Sequence, residues 1–200
     1  MQTSRTRAAV SGSSGLTWKG ADMRIRTGSL IALAVVLLAA AIFAAEGAAA
    51  IDRFFRISDR VALGGQPTPE QVTALSDEGF NTIINLREDV EFNDGPQSHA
   101  ARNAGMQFVR IPVSRENPSD AAVEKFLTAT DDKDLYPIYV YCAEGNRAEA
   151  LWMIRRVVRD GWTVANAEAE ATRAGLPAGR MLDFARDYAQ RHGKGAAKPS

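Results

Sequence analysis

The chain has 200 residues, of which 46% are hydrophobic and 24% charged, and its 24 basic side chains balance its 24 acidic ones. This composition is typical of one ordinary globular domain with short extensions. A nucleic-acid-binding protein is not indicated, because the balanced charge leaves no basic excess to meet a phosphate backbone.

The first 50 residues differ in composition from the rest of the chain. Residues 1–22 are rich in Ser, Gly and Arg and have no hydrophobic period, whereas Leu30–Ala45 is an uncharged run of 16 residues preceded by Arg24 and Arg26. The run is about as long as the core of a signal peptide and short for a bilayer span of about 20 residues. Residues 1–50 are therefore predicted to be an N-terminal extension with an export signal or membrane anchor.

Two alternatives stay open for this segment. Small residues after the run favour signal cleavage between Ala44 and Ala50, while an uncleaved run would tether the chain to a membrane through residues 30–45. Met23 is an alternative start that gives a shorter basic region before the run. Either alternative predicts an exported protein, periplasmic or membrane-anchored, with its domain outside the cytoplasm.

The remaining chain alternates strand and helix patterns. Strands are predicted within 53–67 and at 81–87, 107–113 and 136–141, and helices at 68–78, 98–104, 119–130, 147–160, 163–174 and 178–192. This βαβαβα alternation predicts an α/β fold with a central, mostly parallel sheet flanked by helices. We assign the domain to residues 51–190 and a flexible tail to 191–200.

The segment "YCAEGNR", residues 141–147, follows the most apolar strand and contains the only cysteine, Cys142. A single cysteine cannot form an intrachain disulfide, and functional sites in parallel sheets lie at the carboxyl ends of strands. A helix starting near Asn146 would direct its positive end and nearby N–H groups at one point, favouring a thiolate and an anion there. Gly145 permits the turn, and Arg147 can bind two oxygens of an oxyanion.

The segment "YVYCAEGNR", together with "VALGGQPTPEQV", "TIINLR" and "VRIPVS" upstream, resembles the cysteine-dependent protein tyrosine and dual-specificity phosphatase superfamily. Within it, the chain is most similar to small bacterial phosphatase-like proteins with a shortened Cys-x4-Arg loop. The resemblance implies hydrolysis of a phosphate monoester through a phosphocysteine intermediate, without metal or organic cofactor. The phosphorylated substrate, whether protein, lipid or small molecule, is left open.

The resemblance also implies roles for individual residues. Cys142 would be the nucleophile and Arg147 the phosphate-binding arginine. The residues expected to bind phosphate through their backbone are Ala143, Glu144, Gly145, Asn146 and Arg147.

Three departures from the family pattern bear on catalysis. Four residues instead of five separate Cys142 from Arg147, Tyr141 replaces the usual histidine, and Ala148 replaces a hydroxyl residue. The general acid is also open, since Arg115 stands at the place of the family's aspartate. Glu116 and Asp120 are the nearest carboxylates, and a site with no dedicated acid is the remaining alternative.

Two other functions fit parts of the pattern. A rhodanese-like sulfurtransferase also uses a cysteine loop of this length, and "INLREDVEF" is similar to an early segment of that family, although Asn85 stands where its aspartate belongs. A catalytically weak pseudophosphatase would keep the anion pocket without turnover. A metal site is not predicted, because His99 and His192 lack ligands at suitable spacing.

Overall fold

The computed structural model describes residues 47–193. The predicted export signal or anchor at residues 30–45 and the end of the predicted tail lie outside the described residues, so both stay predictions. Among residues 47–193, none of the helices combines the length and the apolar character needed to cross a membrane.

The described chain folds as a five-stranded mixed sheet flanked by helices. The strands are β1 (Phe55–Ser58), β2 (Val61–Gly64), β3 (Thr82–Asn85), β4 (Gln107–Arg110) and β5 (Ile138–Tyr141). The helices are α1 (Pro69–Asp77), α2 (Gly95–Asn103), α3 (Asp120–Asp131), α4 (Asn146–Val158), α5 (Val164–Ala174) and α6 (Arg180–His192). The sheet order is β1-β2-β5-β3-β4, with β1 antiparallel to β2 and the other pairs parallel. The predicted α/β class is confirmed.

The element boundaries differ from the sequence predictions in places. Helix α2 begins at Gly95, three residues before the predicted start, because Pro96 occupies its first turn and fits a helix start. Strand β3 ends at Asn85, whose side chain accepts the N–H of Arg87 and turns the chain out of the sheet. Helix α6 continues through His192, two residues past the predicted domain boundary.

The three central strands, β2, β3 and β5, are buried on both faces of the sheet. Successive side chains of a strand point to opposite faces. Val140 of β5 joins a core formed with α3, α4, α5 and α6, and Cys142 continues on this face. Tyr139 and Tyr141 face the other way and pack in a second core with α1 and α2. The central position of β5 therefore brings its carboxyl end between the ends of β2 and β3.

Tyr139 links the second core to the segment beside the end of β5. Its buried ring stacks between Phe54 and Tyr141, and its hydroxyl donates a 2.6 Å hydrogen bond to the carbonyl of Gly65. The main chain after β2 is thereby held against the sheet.

We expect Tyr139→Phe to lower the free energy of unfolding by about 1–2 kcal/mol, because the buried carbonyl of Gly65 would lose its donor. Urea unfolding monitored by circular dichroism measures this loss. Tyr136→Phe is the control, since the hydroxyl of Tyr136 bonds the carbonyl of Thr130 at a half-buried position. An equal or larger cost for the control would contradict the interpretation.

Candidate functional site

The turn between β5 and α4 is held by the segment that follows β2. The N–H of Cys142 donates to the carbonyl of Gly64 at 3.4 Å, and the N–H of Gln66 donates to the carbonyl of Ala143 at 3.3 Å. Gly145 caps α4 with a φ of 93°, in the left-handed region. A Cβ at Gly145 would also lie 2.9 Å from a carboxylate oxygen of Glu149, so both the backbone angle and the space require glycine.

The backbone of this turn presents unused hydrogen-bond donors. The N–H groups of residues 143, 144, 146 and 147 make no hydrogen bond to any part of the chain that the structure describes. They surround the start of α4, a helix of 13 residues whose N-terminus has a partial positive charge. The side chain of Glu144 is exposed. We call residues 142–147 the cradle, and it combines free donors with the positive end of a helix.

Arg147 is the most deeply placed charged group of the cradle, with a side chain that is 1% exposed. Its Nη1 donates to the carbonyl of Val113 at 2.9 Å and to the carbonyl of Leu86 at 3.4 Å. Both Nη atoms donate to Glu91, with Nη2 at 2.8 Å from Oε2. The guanidinium therefore joins the chain segments that follow β3, β4 and β5.

One edge of the Arg147 guanidinium is not fully paired by the described residues. The Nε atom is buried and makes no hydrogen bond within residues 47–193, while Nη2 uses only one of its two protons on Glu91. A buried donor without a partner costs about 1–3 kcal/mol. The Nε and Nη2 protons point the same way and match two oxygens of a phosphate.

The pairing with Glu91 sets the charge state of both groups. Hydrogen bonding from Arg147 lowers the pKa of Glu91 from 4.5 to about 2, against the opposing effect of its partial burial. Burial acts to lower the pKa of Arg147, but the hydrogen bond to Glu91 and the proximity of Cys142 outweigh it and raise that pKa. Both residues are therefore ionised at neutral pH.

Sequence reasoning missed Glu91. The carboxylate is oriented by its own loop, because its Oε1 also accepts the N–H of Glu88 at 3.0 Å. The available signal was the acidic segment "EDVE", residues 88–91, directly after the strand beside the cysteine strand. The sequence alone does not show which of the three carboxylates in this segment binds the buried arginine.

Cys142 lies at the base of the cradle and is 2% exposed. Its thiol lies beside the guanidinium of Arg147 and is one of the groups that raise the pKa of that arginine. The structure therefore brings together the two residues that the sequence predicted for catalysis. Tyr141, at the histidine position of the resemblance, faces the opposite side of the sheet, and its buried hydroxyl makes no hydrogen bond among the described residues.

The two candidate acids lie in different places. Glu116 is exposed in the loop after β4, where its Oε2 accepts a 2.6 Å hydrogen bond from Arg180, and it borders a groove that also includes Asn146 of the cradle. Asp120 begins α3, and both its oxygens bind Arg191 near the end of α6. That pairing lowers the pKa of Asp120, which favours the ionised form over the protonated form that an acid needs.

A second ion pair supports the cradle from behind. Arg53 donates to both carboxylate oxygens of Glu149 at 2.9 and 3.0 Å, and also to the side chain of Asn146 and the carbonyl of Gly175. The Glu149 side chain is fully buried. Burial raises its pKa from 4.5 to about 7, although Arg53 acts in the opposite direction.

No cluster of metal-binding side chains occurs between residues 47 and 193. His99 hydrogen-bonds Asn103 on its own helix, and the ring of His192 stacks on Tyr188. Both histidines thus lie in local helix contacts.

A family model described as "PTP-NADK: DSP-PTPase phosphatase fused to NAD+ Kinase" matches residues 26–183. The beta-lactamase hydrolase-like protein of Xylella fastidiosa (strain 9a5c) is 30% identical over 137 residues, which cover 66% of this chain and 31% of that protein. The chain thus spans about a third of the length of this curated relative.

Solved structures share the fold. A candidate phosphatase (DUF442) from Shewanella putrefaciens CN-32 superimposes with a TM-score of 0.61 at 23% identity, covering 72% of this chain and 95% of that one. The core catalytic domain of the PP-IP phosphatase SIW14 from S. cerevisiae gives a TM-score of 0.61 at 16% identity, covering 72% and 88%.

The raised pKa of Glu149 predicts a pH-dependent stability. In the unfolded chain this carboxyl titrates near 4.5, and in the folded protein near 7. Folding therefore takes up a proton between these values, and the contribution of Glu149 to stability falls as the pH rises from 4.5 to 7. The glutamine of the Glu149→Gln variant cannot titrate, so its contribution to stability does not fall in this way. As the pH rises from about 5 to about 8, we therefore expect the parent protein to lose stability relative to the variant.

Urea unfolding at the two pH values measures this difference. Glu144→Gln is the matched control, because Glu144 is exposed and makes no side-chain hydrogen bond with the described residues. If the stability difference between the Glu149→Gln variant and the parent were the same at both pH values, the raised pKa would be wrong.

Proposed function

The chain belongs to the family of DSP-PTPase phosphatases fused to NAD+ kinase, and on that premise we propose that it hydrolyses phosphate monoesters through a phosphocysteine. The observation that supports this most is the unused Nε edge of Arg147 beside the Cys142 thiol, under a set of free N–H groups. The family match does not favour the sulfurtransferase alternative.

The first step transfers the phosphoryl group to sulfur. The ester phosphate binds the N–H groups of the cradle and the Nε and Nη2 protons of Arg147. The Cys142 thiolate attacks phosphorus, an S–P bond forms, and the bond from phosphorus to the ester oxygen breaks. Arg147 and the helix N-terminus stabilise the charge on the equatorial oxygens as the group transfers.

The leaving oxygen needs a proton as it departs. Glu116 is our candidate donor, because it lies on the groove that includes Asn146. To act as an acid it must first take up a proton and release Arg180, which binds its ionised form; without that step the proton comes from water. In the second step a water molecule attacks phosphorus, the S–P bond breaks, and inorganic phosphate leaves with the thiolate regenerated.

Glu91 acts as a positioning residue for Arg147. Its two oxygens bind Nη1 and Nη2, and the carbonyls of Leu86 and Val113 bind Nη1, so the guanidinium plane is set before any phosphate arrives. A preset plane avoids the entropy cost of orienting a long side chain during binding.

A binding-only protein is the second candidate. Two observations favour it: Tyr141 makes no hydrogen bond to the cradle, and Ala148 has no hydroxyl to stabilise the departing thiolate. Such a protein would bind phosphate with the same cradle and leave esters intact. Measuring binding and turnover separately distinguishes the two candidates.

We expect Cys142→Ser to lower the hydrolysis of a simple aryl phosphate at least about 100-fold, because a serine hydroxyl in this cradle is a far weaker nucleophile than a thiolate. Turnover under reducing conditions and tungstate binding by calorimetry are measured on the same preparations. Tungstate affinity should change little, since the N–H groups and Arg147 remain. Turnover by the serine variant within about tenfold of the parent would refute the nucleophile assignment, and tungstate binding without turnover by the parent would favour the binding-only candidate.

We expect Glu91→Gln to weaken phosphate binding and to lower kcat/KM for an aryl phosphate about 10-fold, because the guanidinium loses its charged partner and its fixed plane. Glu88→Gln is the control, as its side chain makes no hydrogen bond or ion pair within the described residues. If phosphate bound more tightly to the Glu91→Gln variant, Glu91 would instead be a competitor of the ligand.

A further inference from the structure

A groove of about 310 Å³ begins at the cradle and extends toward the start of α6. Asn146 is its member from the cradle, Arg115 and Glu116 come from the loop after β4, and residues 176–181 form the rest. We call it the Arg115–Arg180 groove. Because Asn146 is also one of the residues proposed to bind the ester phosphate, the remainder of a bound substrate would lie in this groove.

The groove has a net positive charge. Its charged members are Arg115, Glu116 and Arg180, which together give a charge of +1. Arg180 contacts Glu116 through Nη1 alone, which donates to the carboxylate at 2.6 Å and to the backbone carbonyl at 2.7 Å. Arg115 lies 3.9 Å from the same carboxylate, too far for a hydrogen bond.

Donors on both arginines are therefore free to bind a ligand. Within residues 47–193, Nε and Nη2 of Arg180 have no hydrogen-bond partner, and the same holds for all three nitrogens of Arg115. The Nε–Nη2 edge of an arginine binds two oxygens of a carboxylate or phosphate side by side. The groove is also lined by three apolar residues, Leu176, Pro177 and Met181.

We propose that the Arg115–Arg180 groove binds a second anionic group on the leaving-group side of the substrate. The substrate class is then a phosphate monoester whose alcohol carries an apolar body and a carboxylate or a further phosphate. The inference rests on the proposed function, since it takes the cradle as the site of the ester phosphate. Arg180 binds the second anion through its free edge while Glu116 stays on Nη1.

The test uses phosphonates, which bind without being hydrolysed. Binding of 4-(phosphonomethyl)benzoate and of 4-(phosphonomethyl)benzamide is measured by calorimetry at low ionic strength, because exposed charges are screened by salt. The two ligands differ in one charge at the end of the ring. We expect the benzoate to bind the parent protein about 10-fold more tightly than the benzamide, which corresponds to about 1.4 kcal/mol.

Arg180→Gln should abolish the preference for the benzoate, and Arg115→Gln should reduce it, while affinity for the benzamide stays the same in both variants. Arg173→Gln is the matched control, because Arg173 is exposed on α5 outside the groove. Equal binding of the two ligands by the parent protein would overturn this inference and leave the proposed function standing. A preserved preference in the Arg180→Gln variant would overturn it as well.

The outcomes also separate this inference from the proposed function. If neither ligand binds, the cradle is not a phosphate site and both proposals fail. If the benzoate is preferred but no aryl phosphate is hydrolysed, the groove assignment holds and the hydrolytic proposal fails.

Discussion

A buried arginine ties three strand ends together, and the geometry of the site depends on how its charge is balanced. A guanidinium that is 1% exposed would be strongly unfavourable without partners. Glu91 supplies the counter-charge, and the carbonyls of Leu86 and Val113 accept hydrogen bonds from Nη1. Each partner follows a different strand from the one before Arg147, so satisfying this one group fixes the loops after β3 and β4 around the cradle.

The balance is incomplete at one position, the Nε atom of Arg147. Native proteins pair nearly all their buried polar groups. Other buried side chains of the described residues, among them Thr82 and Arg155, also have an unpaired polar atom, but only that of Arg147 lies in the cradle. The ion pair behind the cradle, between Arg53 and Glu149, also includes a buried charged group. Glu149 is a fully buried carboxylate, and Arg53 holds it from a backbone φ of 55°, which is uncommon for a residue other than glycine. Both buried charges, that of Arg147 and that of Glu149, are held in fixed positions by ion pairs.

Much of the fold and part of the site could be predicted from the sequence. Hydrophobic periodicity, the Thr68 cap and the position of Cys142 after the most apolar strand are local signals, and they located the elements and the pairing of Cys142 with Arg147. Glu91 and Glu149 could not be found in this way. Their partners lie 56 and 96 residues away, so their roles depend on which loops the sheet order brings together.

The sequence placed Glu116 ahead of Asp120 as an acid candidate, but it could not show where either side chain lies. Glu116 and Asp120 are close in the sequence, yet one borders the groove and the other binds the far end of α6. Glu116 lies in the loop before α3 and binds Arg180, whereas Asp120 is the first residue of α3 and binds Arg191. The number of residues that separates two carboxylates in the sequence cannot show that their side chains lie in different parts of the fold.

The contacts of the segment before β1 determine how small a working fragment of this domain can be. Ala48 and Ile51 are buried, the N–H of Ala48 donates to Glu78, and Arg53 reaches Asn146 in the cradle. A polypeptide trimmed to the first strand would keep every element of the sheet and lose these anchors. Any processing enzyme that cuts before Ala48 leaves the anchors intact, whereas a cut directly after Arg53 would separate them from the cradle.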